Sequence, residues 1–110
     1  MLFLGVLFHL KDALGALRRL AAVTDGLAVI ESEALVIPGH EELAACEFYA
    51  GDELAGDNTN GWGPTLPAIH QLCAAAGFDR TETVAGPPAV SAALAHPVHY
   101  RAVVHAWMSR

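Results

Sequence analysis

LFLGVLF, residues Leu2 to Phe8, is a continuous apolar run without alternation, the pattern of a parallel-sheet strand covered on both faces. No positive charge precedes it as in a signal peptide, and Lys11 and Asp12 end it too early for a membrane span, so it reads as a buried strand. From Asp12, an N-cap residue, Leu14, Leu17 and Ala21 recur at helical spacing until Thr24, Asp25 and Gly26 supply a stop. A second apolar run, LAVI at Leu27 to Ile30, follows at once. Strand, helix, strand in this order is the unit of a parallel crossover, and an α/β fold follows from it.

Beyond that unit, residues 38 to 63 mix a helix-forming stretch around Glu41 to Cys46 with Gly51, Gly56, Asp57, Asn58, Asn60, Gly61 and Gly63. This reads as a long loop, and loops of such length tend to carry function. Thr65 and Pro67 suit a helix start, Leu66, Ile69, Cys73 and Ala76 share one face, and Gly77 closes the helix. A strand is expected from Phe78, with Thr81 to Val84 β-prone before Gly86, Pro87 and Pro88 break it. In the last strand, Val98 to Trp107, β-branched and aromatic residues alternate with Arg101 and His105.

Composition narrows the function classes. A chain of 110 residues forms one domain of sufficient size to fold without staples. Apolar residues make up 54% and charged residues 16%, so it is neither a disordered tail nor an ordinary soluble surface, and some apolar area awaits a partner. The net charge of −6, with six scattered basic residues, argues against a strong nucleic-acid surface. Arg18 and Arg19 are the adjacent pair, and they fall where a helix meets water. Cys46 and Cys73 stand apart, without CxxC, and read as small buried hydrophobes of a cytoplasmic protein. His40 with Glu41 and Glu42, and His96 with His99, lack the HExxH register and any matching cysteine pattern, so no metal site is expected.

The run LFLGVLFHLKDAL followed by LAVIESEAL resembles class I S-adenosylmethionine-dependent methyltransferases, more narrowly those related to the tRNA wobble-uridine carboxymethyltransferases. That family reads GVLYH before a short charged loop. Gly5, Val6, Leu7 and His9 match, and Phe8 stands in the place of Tyr. EFYAGDELAGDNTNGWGPT, the helix ending AAAGF, and the strand beginning YRAVV are similar to later blocks of the same group. The resemblance implies the C-terminal half of a Rossmann-like sheet, mostly parallel with an antiparallel last strand, as one partial methyltransferase domain over residues 1–110. The first three strands are absent, with the glycine-rich turn and the acidic strand end that hold the cofactor, so activity of the chain alone is in question.

Under that resemblance Leu4, Gly5 and Phe8 border S-adenosylmethionine at a strand's carboxyl end, and Arg101 matches the arginine that binds the extra carboxylate of a carboxylated cofactor. Phe8 removes a hydroxyl beside it, which favours ordinary methyl transfer. His9 is the candidate catalytic base, with a structural hydrogen bond as its other reading. Tyr49, Asn60 and Trp62 are the candidate substrate-binding residues, Trp62 either stacking on an acceptor or anchoring the loop by packing. The acceptor, a small molecule or an RNA, is left open. The rival reading is a remnant without cofactor that pairs its first strand with another chain.

Overall fold

A computed structural model describes residues 2–4, 13–48, 62–91, 93–94 and 96–109. The elements are β1 (Leu2–Leu4), α1 (Ala13–Val23), β2 (Gly26–Val36), β3 (Cys46–Phe48), β4 (Trp62–Pro64), α2 (Leu66–Ala76), β5 (Arg80–Ala85) and β6 (Val98–Met108).

α1 ends, and α2 begins and ends, where local chemistry places them; Asp12, the expected N-cap of α1, lies outside the described residues. α1 buries Ala13, Leu17, Leu20 and Ala21, an i, i+4, i+7, i+8 stripe, while Arg18 and Arg19 face water. Past its last turn, the Thr24 hydroxyl donates to the Leu20 carbonyl at 2.7 Å and Gly26 takes φ 94°, a conformation that a side chain disfavours. α2 starts at the N-cap Thr65, carries Pro67 in its first turn, and ends at Gly77 with φ 113°.

The four-stranded sheet has the order β1-β2-β6-β5. This corrects the mostly parallel Rossmann-like half-sheet that the sequence predicts. β1 runs parallel to β2 over three residues, Leu2 to Leu4 opposite Val29 to Glu31, whereas β2–β6 and β5–β6 are antiparallel. The physical reason is the place of β6. It does not add at an edge but inserts between β2 and β5, and its ladder with β2 runs the whole length from Gly26 opposite Met108 to Val36 opposite Val98. One reversed strand in that position makes two of the three pairings antiparallel.

Two further expectations change. The helix-forming stretch around Glu41 to Cys46 is a turn, with the Leu43 amide donating to the His40 carbonyl, followed by β3 paired antiparallel with β4. Cys46 is exposed there, while Cys73 is fully buried on α2, where burial pushes its thiol up to about 12.

Strand alternation divides the sheet into two faces. Ala28, Ile30 and Ala34 of β2 and Ala102, Val104 and Ala106 of β6 form one core with Leu17 and Leu20 of α1 and Ile69 and Cys73 of α2. The alanines let both helices approach the strands closely, so the long side chains come from the helices. On the opposite face Leu27, Val29, Val103, His105 and Trp107 are half-buried, and the Arg80 guanidinium lies 4.0 Å from the Trp107 ring centre.

Candidate functional site

At the carboxyl end of β2 the helix-covered face opens into a cleft of about 220 Å³. Leu35 and Val36 of β2, Leu66, Pro67 and His70 of α2, Thr83 of β5, Pro87, and Tyr100 of β6 line it, with Glu41 and Glu42 from the turn. Strand direction explains why these meet. β1, β2 and β5 point the same way and β6 opposes them, so their carboxyl ends and the start of β6 share one edge of the sheet. In open α/β sheets, ligands collect at such an edge.

His70 is held at both ring nitrogens. Its Nδ1 lies 2.6 Å from Thr81 Oγ1 and its Nε2 2.7 Å from Thr83 Oγ1. Period-two alternation puts both threonines on the helix side of β5, and the imidazole spans them. A neutral ring donates from one nitrogen and accepts at the other, and each hydroxyl can take either part. Just after Thr83 the ladder slips, Thr83 facing Val104 and Ala85 facing Val103, so Val84 bulges outward and Thr83 ends the regular strand at the cleft. Gly86 follows, and a Cβ there would meet the Thr83 methyl at 3.3 Å and the Leu66 side chain at 3.9 Å, so a larger residue would crowd this wall.

Burial lowers the His70 pKa from its ordinary 6.5. The folded chain therefore binds fewer protons at this ring than the unfolded chain does below about pH 6.5. The stabilisation is complete above that value and is lost as pH falls toward the lower folded value. We expect the urea midpoint to drop between about pH 7 and pH 5, and His70→Gln to remove this part of the drop. An unchanged pH profile in the variant would refute the assignment.

Tyr100 contributes a ring wall and a hydroxyl that is buried without a hydrogen-bond partner. Burial pushes that phenol up to about 12, so it stays protonated. Thr65 ties the acidic turn to the helix. Its Oγ1 donates to the Leu43 carbonyl at 2.7 Å and accepts from the Ala45 amide at 3.0 Å and the Ala68 amide at 3.3 Å. Within the turn the Gly39 amide donates to Glu41 Oε1 at 3.2 Å. The carboxylates at the cleft are thus carried by a segment braced at both ends.

The residues singled out in the sequence fall elsewhere. His9, Gly5, Phe8, Tyr49 and Asn60 lie outside the described residues. Leu4 closes β1 opposite Glu31, and Trp62 opens β4 opposite Phe48. Arg101 sits on β6 opposite Glu33, on the other face of the sheet from the cleft, with its Nε 3.2 Å from Glu31 and its Nη1 3.6 Å from Glu33. His70, Thr83 and Tyr100 carried no motif that would single them out. The one available signal was the alternation of Thr81 and Thr83 in a strand following a helix with one histidine. Among the described residues no group of three or more His, Cys, Asp or Glu is placed to hold a metal ion, and no helix is long and apolar enough to cross a membrane. No protein-family model and no curated protein matches this chain.

Proposed function

We propose that this chain is part of an S-adenosylmethionine-dependent methyltransferase, that it binds the cofactor through its own residues, and that it transfers a methyl group to an acceptor when a glycine-rich half, which this sequence does not contain, is supplied. The observation that carries the reading is the parallel pairing of β1 with β2, α1 lying between them in sequence, the unit beyond whose strand ends open α/β sheets gather their ligands.

The charges on the open face bear on the cofactor. Among the described residues, Glu31 and Glu33 set two carboxylates against the guanidinium of Arg101, leaving one negative charge beside the strand position opposite Leu4. This balance suits a cationic sulfonium and opposes an additional carboxylate, so it supports ordinary methyl transfer over carboxymethyl transfer. S-adenosylmethionine, when bound, supplies the electrophilic methyl group. The chain's own part is to set negative charge near it and to orient the acceptor, and alignment accounts for much of the gain in such a transfer. A cytoplasmic setting is consistent with two cysteines that form no disulfide.

Calorimetric titration tests the reading. We expect saturable heat with S-adenosylmethionine and with S-adenosylhomocysteine, and Glu31→Gln to weaken the charged cofactor by roughly fivefold while leaving the neutral product nearly unchanged. Absence of heat with both ligands would sink the cofactor reading. A second reading would then stand, pairing of β1 with another chain, which is supported by its position at an edge of the described sheet.

A further inference from the structure

We propose that the cleft between α2 and β6 binds a small organic cation, its apolar body against Leu35, Leu66 and the Tyr100 ring and its charged head at Glu41 and Glu42. This inference concerns the cleft alone and holds whether or not the chain transfers methyl groups.

Size and lining set the body of the ligand. About 220 Å³ is below the roughly 300 to 1,000 Å³ of sites for drug-sized molecules, and suits a single ring or a short branched chain. The walls are aliphatic and prolyl, with one aromatic ring, which favour an apolar body.

Charge sets the head. Among the described residues the lining holds two carboxylates and neither Lys nor Arg. His70 adds little positive charge at neutral pH, since burial lowers its pKa from the ordinary 6.5. The α2 N-terminus, which would otherwise attract an anion, is closed, because Thr65 caps the Ala68 amide, the Thr65 carbonyl takes the Ile69 amide, and Pro67 has no N–H to offer. A cation therefore finds attraction here without a competing donor, and the Tyr100 ring adds a face that cations favour. Two carboxylates on adjacent residues, with no third ligand among the described residues, are too few for a metal ion.

The test uses the full chain at low ionic strength with three probes of one shape, namely phenethylammonium, 2-phenylethanol and 3-phenylpropionate, read by amide NMR shifts. We expect saturable shifts at Leu66, His70 and Thr83, with phenethylammonium bound about tenfold more tightly than the alcohol and the carboxylate weakest. Raising the salt should narrow the differences. The double variant Glu41→Gln with Glu42→Gln changes two exposed side chains, and it should bring the cation to the affinity of the alcohol. Tyr100→Phe keeps the ring and should retain the order of the probes. Equal affinity for cation and carboxylate, a double variant without effect, or no saturable shift with any probe would each overturn the proposal.

Discussion

Replacing Thr65 by Val should destabilise the protein by about 3 kcal/mol, since a single hydroxyl that is lost served three backbone groups. Thr65 is 2% exposed, so water cannot take over these bonds at little cost. About 1 kcal/mol belongs to the helix cap and the remainder to the Leu43 carbonyl and the Ala45 amide. Valine keeps the shape, so packing does not confound the result. Thr65→Ser retains the hydroxyl and should cost under about 1 kcal/mol, the loss of one methyl group. Equilibrium unfolding in urea would show the effect as a lower midpoint at unchanged slope. The site should respond too. Freed from α2, the turn bearing Glu41 and Glu42 no longer holds its carboxylates at the cleft, and the preference for cationic over neutral probes should shrink. A loss below about 1 kcal/mol for Val would mean that the hydroxyl does not connect turn and helix.

Leu17→Ala should be costlier still, about 4 kcal/mol. Leu17 is fully buried on α1 in the core it shares with Ile30, Ile69 and Val104. Large-to-small changes cost most where neighbours cannot close over the space. Here the strand side is built of Ala28, Ala34, Ala102 and Ala106, which have no side chain to spare for filling it. For a domain whose whole stability is about 5 to 15 kcal/mol, such a loss leaves little folded margin. Leu17→Met, close in volume, should cost less than about 1.5 kcal/mol. Val23→Ala, 66% exposed on the same helix, should stay within about 0.5 kcal/mol. Thermal unfolding followed by circular dichroism would rank the three. A Leu17→Ala variant as stable as Val23→Ala would contradict the placement of α1 on the sheet.

Much of the local structure was legible in the residues themselves. Thr65, Pro67 and Gly77 marked α2 because capping and left-handed closure depend on side-chain chemistry at single positions. The 3.6-residue spacing of Leu17 and Ala21 marked the buried stripe of α1, and Val98 to Trp107 marked β6 by its period of two. β3 was not legible. Its three residues are too few to show a period, and the neighbouring glutamates and alanines favour a helix by propensity until pairing with β4 decides otherwise. The long ladder of β2 beyond Ile30 was hidden by Glu31 and Glu33, which lie on the uncovered face of the strand, and by Ser32, which is buried on the other.

The candidate site divides in the same way. Its chemistry is written in residue types, an aromatic hydroxyl, an imidazole, two threonines and two glutamates, but their meeting is not. His70 and Thr83 come from a helix and a strand with different periods, and Tyr100 and Glu41 come from opposite ends of β2 and β6 partners that approach only when β6 lies between β2 and β5. By itself the sequence determined α1 and α2, the end of the first and both ends of the second, and the last strand, because these follow from interactions within a few residues. Tertiary structure alone decided the strand order, the direction of pairing and the cleft, because an apolar strand satisfies its backbone equally with a parallel or an antiparallel neighbour, and the choice is made by burial summed over the whole sheet.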